Sequence, residues 1–133
     1  MGGKRISRNK SIEKAVRDIL KSKAKSCIYL YLLKKNGVKT GQIIKGTKLH
    51  PSTVRETLSR MYDLKIIYRK KIKNNCIGKN PYIYFSIPPI ELLKKYADEI
   101  EDRLNKLASL TNIDKIKNYK PVKIKIEESS DQL

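Results

Sequence analysis

The stretch TGQIIKGTKLHPSTVRETLSRMYDLKII, residues 40–67, decides the fold of this chain. Its first part predicts a helix of barely two turns, because Thr40 can cap a helix and Gly46 lets the chain turn. The dipeptide His50-Pro51 then starts a second helix, since proline at the first helical position loses an N–H group that has no partner there. We therefore expect two short helices joined by a tight turn.

The second helix divides into two faces. Val54, Leu58 and Met61 follow the i, i+4, i+7 spacing of a single helix face, which should pack inward. The opposite face and its flanks carry polar and charged side chains that can reach a nucleic-acid groove. These residues are Ser52, Arg55, Glu56, Ser59, Arg60 and Asp63.

The pattern L-x-P-S-T-V-R-x-x-L-x-x-M-x-x-L-x-I-I, residues 49–67, resembles the second half of a winged helix-turn-helix domain of the MarR and TrmB-like kind. The resemblance extends to about Ser86 and implies a mainly α fold with a two-stranded wing. In that family the N-terminal half of the second helix contacts base edges in the major groove. The implied contacts are Ser52, Thr53, Arg55, Glu56, Ser59 and Arg60, to which Thr40 and Lys48 are added as candidates. Where the family often has glycine, just before the first strand, this chain has Leu64-Lys65.

Composition limits the fold and the partner. A chain of 133 residues with 39% hydrophobic residues can bury one modest core, so we expect one domain with extensions. The net charge of +18 divides into +7 over residues 1–25, +11 over 26–89, −1 over 90–111 and +1 over 112–133. A generally solvated surface would spread this charge evenly, so the segregation favours a polyanion as partner. An acidic membrane surface fits less well, because the basic segments lack a strongly apolar aromatic face.

A hairpin should follow the second helix. Residues 66–73 and 82–87 read as strands, and the Asn, Gly and Pro between them indicate a loop. The basic candidates for DNA contact on this wing are Arg69, Lys71, Lys73 and Lys79. The resemblance places Lys79 where the family often directs an arginine into the minor groove. The alternative is a hairpin edge that lysines keep soluble.

Two helices are expected before the quoted stretch, from Ser11 to about Lys21 and from Lys23 to Lys35, because apolar residues recur there at helical spacing. Asn36-Gly37 should end the second of them with a left-handed cap. Residues 1–10 are basic and without periodicity. They read either as an arm along a minor groove or as a disordered terminus.

After Pro88-Pro89, apolar residues recur at alternating steps of three and four over residues 90–111. This three-heptad seam predicts a C-terminal dimerisation helix, and therefore a homodimer. The alternative is a helix that packs back on its own domain. The seam residues are Ile90, Leu93, Ala97, Ile100, Leu104 and Leu107. The tail, residues 112–133, contains a short alternating stretch that suits a strand, and a disordered acidic end is the other reading.

The remaining residues do not suggest catalysis. Cys27 fits a small core residue, and Cys76 in the hairpin loop has no specific cationic neighbour that would mark a redox sensor. His50 sits where a helix cap is expected. Since the sequence has no phosphate-binding glycine loop, no metal-ligand spacing and no activated nucleophile, we expect neither enzyme activity nor a cofactor.

Localisation and origin follow from composition alone. No apolar run approaches the roughly 20 residues that cross a bilayer, and the N-terminus has no apolar signal core, so a cytoplasmic, nucleoid-associated protein is expected. The 24 lysines and 18 isoleucines resemble the composition of proteins from AT-rich thermophilic archaea.

These expectations combine into a homodimeric, sequence-specific regulator of transcription that binds double-stranded DNA. Two other functions remain open. One is a non-specific architectural or chromatin protein, which would use the same charge without reading bases. The other is a winged-helix module that binds proteins of the basal transcription machinery.

Overall fold

The computed structural model describes residues 10–72, 82–111 and 121–127. These residues are mainly helical, with a two-stranded antiparallel sheet and then a long C-terminal helix, which confirms the predicted fold class. The chain divides into two compact units, Met1–Pro88 and Pro89–Leu133. The elements are α1 (Lys10–Leu20), α2 (Lys23–Lys35), α3 (Thr40–Thr47), α4 (Pro51–Asp63), β1 (Ile67–Lys71), β2 (Tyr82–Ser86) and α5 (Pro89–Ala108).

Local capping sets the ends of the first two helices. Lys21, with φ of 58°, follows the end of α1, and the Ser22 hydroxyl accepts a hydrogen bond from Lys25 N–H (3.1 Å) at the start of α2. Asn36 in the left-handed region and Gly37 at φ +106° end α2, as the Asn-Gly pair predicts. The bounds of α2 are those expected from the sequence.

The start of α3 differs from the prediction. Thr40 is the first helical residue and not the cap, a position that belongs to Lys39. The Lys39 N–H donates a hydrogen bond to Gln42 Oε1 (3.0 Å), so a side chain inside the helix satisfies the donor that a capping box normally satisfies. The N–H group of Gln42, which a capping hydroxyl would normally satisfy, donates to Lys39 O instead (3.0 Å).

The turn after α3 also differs. Gly46 lies inside the helix, where a Cβ would overlap the ring of Tyr31, so this glycine permits α3 to approach α2 closely. Lys48 makes the turn instead, with φ of 61° and its N–H donating to Ile44 O (3.0 Å). The prediction that Gly46 makes the turn was wrong, because packing against Tyr31 rather than backbone freedom requires the glycine.

The helix α4 begins at Pro51 and has the inward face that the sequence predicts. His50 caps it, since Nδ1 accepts a hydrogen bond from Ser52 N–H (3.2 Å), and Pro51 is its first residue. The side chains that it buries are Val54, Thr57, Leu58 and Met61.

The helix α2 is the centre of the first unit, because it contacts α1, α3, α4 and β2. Two hydrogen bonds tie it to the end of the sheet: the Tyr29 hydroxyl donates to Ile87 O (2.7 Å), and Ser86 Oγ donates to Tyr29 O (2.8 Å). The largest fully buried side chains are Ile28, Tyr29, Leu32, Ile43, Val54 and Met61.

The two strands form the base of the wing. They pair antiparallel, with Ile67 opposite Ser86, and β1 begins one residue later and β2 ends one residue earlier than predicted. Val38 adds an isolated bridge to Tyr84 that the sequence did not reveal. The predicted hairpin loop, including Cys76, lies outside the described residues.

The second unit contains α5 and residues 121–127. The predicted alternation of the tail is visible as half-buried apolar residues and exposed lysines, but the segment forms no strand. Side chains of α5 hold its backbone: Val122 N–H donates to Asn105 Oδ1 (2.7 Å), and Ile124 N–H donates to Glu101 Oε1 (2.9 Å). Among the described residues, no helix is long and apolar enough to span a membrane.

Candidate nucleic-acid interface

The helix α4 presents its polar face at the surface. Because about 3.6 residues make one turn, burying Val54, Leu58 and Met61 turns the intervening residues outward. Ser52, Arg55, Glu56, Ser59 and Arg60 are exposed, and Thr53 is half-buried. All six predicted base-contacting residues therefore lie on α4, and the opposite face of this helix packs into the core.

The charges on this face are not equivalent. Arg60 Nη2 lies 3.7 Å from Glu56 Oε2, one helical turn away, and both side chains are largely exposed. Such a pair is weak, so it biases the position of Arg60 without removing its charge. Within the described residues no carboxylate pairs with Arg55, which leaves its guanidinium available to an external acceptor.

Arg69 lies within the predicted first strand, but the sequence did not reveal the surroundings of its side chain, which packs beside Tyr62 of α4. Its guanidinium carbon is 3.9 Å from the ring centroid of Tyr62 and 4.2 Å from that of Tyr82. Tyr84, directly opposite in the sheet, is hydrogen bonded to the Arg69 side chain. We call these three tyrosines the tyrosine clamp.

The clamp favours the charged form of Arg69. Slight burial lowers the pKa of the guanidinium, but the hydrogen bond to Tyr84 and the neighbouring tyrosine oxygens outweigh this effect, so the pKa is raised above its ordinary value. In the part of the chain that the structure describes, no carboxylate forms an ion pair with Arg69. Its positive charge is thus stabilised by rings and a hydroxyl, and it remains able to bind an anion.

An open cleft of about 390 Å³ separates α4 from the wing base. Two arginines and one carboxylate face it, so its side chains carry a net positive charge. Its polar lining is Thr40, Arg55, Ser59, Asp63 and Arg69, and the rings of Tyr62 and Tyr84 complete the walls.

The other predicted DNA contacts are scattered. Thr40 was predicted to contact DNA, but it is only 6% exposed and lines the cleft, so it cannot reach out to a duplex. Lys48 and Lys71 are exposed, the first in the turn before α4 and the second at the end of β1. Lys73 and Lys79 lie outside the described residues.

The predicted dimer seam on α5 is partly exposed. Leu93, Leu104 and Leu107 are exposed, with 63% for Leu107, while Ile90 and Ile100 are half-buried. Ala97 is 8% exposed and has little surface to offer a second copy. The seam is therefore centred on its leucines.

Sequence reasoning missed the tyrosine clamp. No tyrosine is among the predicted site residues. A usable signal was present, because Tyr82 and Tyr84 alternate onto one face of the strand. Arg69 on the partner strand reaches that face.

Helices α2, α3 and α4 with the two-stranded sheet form a winged helix-turn-helix, in which α4 occupies the position of the recognition helix. No protein-family model matches the sequence, and no curated protein matches it. A solved structure described as a possible transcriptional regulator from Methanosarcina mazei Go1 is similar, with a TM-score of 0.59 and 21% identity over 76% of this chain and 88% of that chain. This likeness confirms the fold.

Two further structures show weaker similarity. NadR in complex with 4-hydroxyphenylacetate has a TM-score of 0.46 and 14% identity, covering 86% of this chain and 88% of that chain. A mutant of S. aureus MepR has a TM-score of 0.43 and 18% identity, covering 83% and 82%.

Proposed function

We propose that this protein is a transcriptional regulator that binds double-stranded DNA sequence-specifically as a homodimer. The observation that carries the proposal is the outward polar face of α4, which stands beside the basic wing base in a winged helix-turn-helix unit. Residues 1–89 also hold the whole excess of positive charge. The fold can present one helix to a duplex, and the same unit carries the positive charge. Both features suit double-stranded DNA as the partner.

In the proposed complex, α4 enters the major groove. A helix with its side chains is about 10–12 Å across and the groove is about 12 Å wide, so the exposed face can approach base edges. Arg55 is suited to a bidentate contact with guanine O6 and N7, and Glu56 to accepting a hydrogen bond from cytosine N4. Ser52, Thr53, Ser59 and Arg60 contact neighbouring bases or phosphates.

The wing serves as the second contact. Arg69 and Lys71 lie on β1 and follow α4 closely in sequence, so the wing meets the phosphate backbone or the minor groove next to the site that α4 reads. Lys73 and Lys79, which belong to the same basic stretch of sequence, are proposed as further phosphate contacts. Phosphate contacts position the protein on the duplex, while base contacts supply the sequence preference.

The helix α5 forms the proposed dimer interface. Its exposed leucines follow a heptad seam, and the flanks carry ion pairs within the helix, between Glu99 and Arg103 (3.7 Å) and between Asp102 and Lys106 (3.0 Å). A second copy would bury the leucines and leave these charges in solvent. A dimer doubles the phosphate contacts and suits a two-fold-symmetric or repeated site.

Selection of bound fragments from a random duplex pool, followed by titration of an enriched fragment, tests sequence-specific binding. Arg55→Ala should reduce the preference for the enriched fragment over random duplex by about tenfold or more, since one bidentate base contact supplies about 1–3 kcal/mol of discrimination. Arg103→Ala, outside the winged unit, is the control. Equal weakening on every DNA would instead support a non-specific architectural protein.

A salt series with random duplex tests whether DNA is the partner at all. Affinity should fall steeply with salt, because each neutralised phosphate contributes about −0.9 to the slope of log K against log salt. A flat dependence would exclude nucleic acid and leave a protein-binding module as the function.

Ile100→Asp combined with Leu104→Asp tests the interface by placing charges in the seam. Sedimentation should show conversion of a dimer to a monomer, whereas Ser109→Asp, at an exposed position off the seam, should leave the dimer intact. An unchanged species in the seam variant would exclude α5 as the interface.

A further inference from the structure

Arg69 is held more firmly than the arginines of the reading face. Its guanidinium contacts two aromatic rings and is hydrogen bonded to a third tyrosine, whereas Arg60 makes a solvent-exposed ion pair and Arg55 has no ion pair within the described residues. An arginine side chain normally loses rotamer entropy when it binds a ligand. The clamp removes part of that loss before any ligand arrives.

The clamp also determines what Arg69 can bind. The guanidinium carbon lies over the rings of Tyr62 and Tyr82, and Tyr84 is hydrogen bonded to the same side chain. A guanidinium has five N–H donors, so donors remain for a ligand in the cleft that Arg69 lines. A planar pair of donors is the geometry that matches two oxygens of a phosphate or carboxylate.

The other residues of the cleft narrow the ligand further. The Ser59 hydroxyl can donate to an anion, and Arg55 adds positive potential from the adjoining reading face. Asp63 also faces the cleft and repels an anion placed near it. An anionic group therefore fits on the side of Ser59 and Arg55, between the recognition helix and the wing.

We propose that this cleft binds a single phosphodiester of the DNA backbone, with Arg69 as a prepositioned two-pronged donor and Ser59 as an additional donor. The inference rests on the proposed DNA binding and adds a defined phosphate site to it. A phosphate bound there lies between the major-groove helix and the wing. It thereby sets the register of both on the duplex.

Replacement of Arg69 by lysine tests the site, because lysine keeps the charge but lacks the planar pair of donors. Anisotropy titration with a short random-sequence duplex should show affinity about tenfold weaker than that of the wild type. The salt slope should stay unchanged, since lysine still neutralises a phosphate. Arg103→Lys is the matched control and should bind as the wild type does.

A double-mutant cycle tests the clamp. Tyr62→Leu should weaken binding about fivefold when Arg69 is present and less than about twofold in the Arg69→Lys background, because the tyrosine acts through the guanidinium. Tyr68→Leu removes an exposed tyrosine on β1 that is not part of the tyrosine clamp, and this control should leave binding unchanged. Circular dichroism melting checks that each variant is folded.

The outcomes separate the two proposals. If the wild type binds duplex with a steep salt dependence but Arg69→Lys matches Arg103→Lys, the phosphate site is wrong and DNA binding stands. An equal effect of Tyr62→Leu in both backgrounds would show that Tyr62 does not act through Arg69. The proposed role of the clamp would then be wrong, and DNA binding would stand. If the wild type shows no salt-dependent binding, the proposed function fails and the phosphate site fails with it.

Discussion

The helices α4 and α5 are both amphipathic, yet their apolar faces have different environments. In α4 the inward residues Val54 and Met61 have no exposed surface, because α2, α3 and β1 cover them. In α5 the exposed stripe contains Leu104 at 39% and Leu107 at 63%. Periodicity therefore predicts a helix and its apolar face but does not identify what covers that face.

The largest difference should appear when one apolar side chain is removed from each helix. Met61→Ala should lower the free energy of unfolding by about 2–5 kcal/mol, because it leaves a cavity in a close-packed core. Leu107→Ala should lower it by less than about 0.5 kcal/mol in a dilute, monomeric sample. Urea denaturation measures both, and equal losses would mean that the two faces are equally buried.

The helices α3 and α2 approach each other closely at Gly46. Gly46→Ala should lower the free energy of unfolding by about 1–3 kcal/mol, since the new Cβ overlaps the Tyr31 ring. Gly41→Ala in the same helix meets open space and should stabilise by about 0.5–1 kcal/mol. Thermal melting with a Tyr31→Leu rescue checks the cause, and a loss that Tyr31→Leu does not reduce would contradict it.

A substitution just after α4 should have a smaller effect and should raise the free energy of unfolding. Lys65 has φ of 63°, a left-handed conformation that glycine adopts without steric cost. Lys65→Gly should therefore raise the free energy of unfolding by about 0.5–1 kcal/mol. Lys45→Gly, at a helical position of α3, should lower it by about 1 kcal/mol, and a gain at both sites would show that backbone conformation is not the reason.

The smallest expected effect is local and concerns the other face of α5. Asn105→Ala removes the side chain that accepts from Val122 N–H and donates to Val122 O, at 2.7 and 3.1 Å. Hydrogen exchange at the Val122 amide should accelerate while global stability changes by less than about 1 kcal/mol. Lys106→Ala should leave this amide unchanged, and an equal acceleration there would mean that the amide reports general fraying.

Local pattern predicted most of the winged unit. The bounds of α2 and α4 follow from apolar spacing together with the Asn36-Gly37 and His50-Pro51 signals, which act through neighbouring backbone groups. The six residues expected on the reading face of α4 are where helical geometry places them. Thr40 and Gly46 were misread because the cap at Lys39 depends on Gln42, and the need for glycine depends on Tyr31 in another helix.

The candidate site was predicted less completely. Charge segregation and the α4 pattern indicated the outward face of α4 as the candidate site, but they did not reveal the surroundings of the Arg69 side chain. Its position follows from strand register and from the approach of Tyr62 on α4, and neither is encoded in the immediate neighbours of Arg69. A contact between two elements depends on how they pack, so a sequence pattern within one element does not specify it.

Local pattern and composition specify which segments of the winged unit are helical or extended, which side of α4 is apolar, and that the excess charge belongs to this unit. These properties arise from interactions over a few residues. The packing role of Gly46, the burial of Thr40 and the three tyrosines around Arg69 emerge only when the elements pack together. Burial and side-chain contact depend on groups far apart in the chain, and the packing of the whole unit brings these groups together.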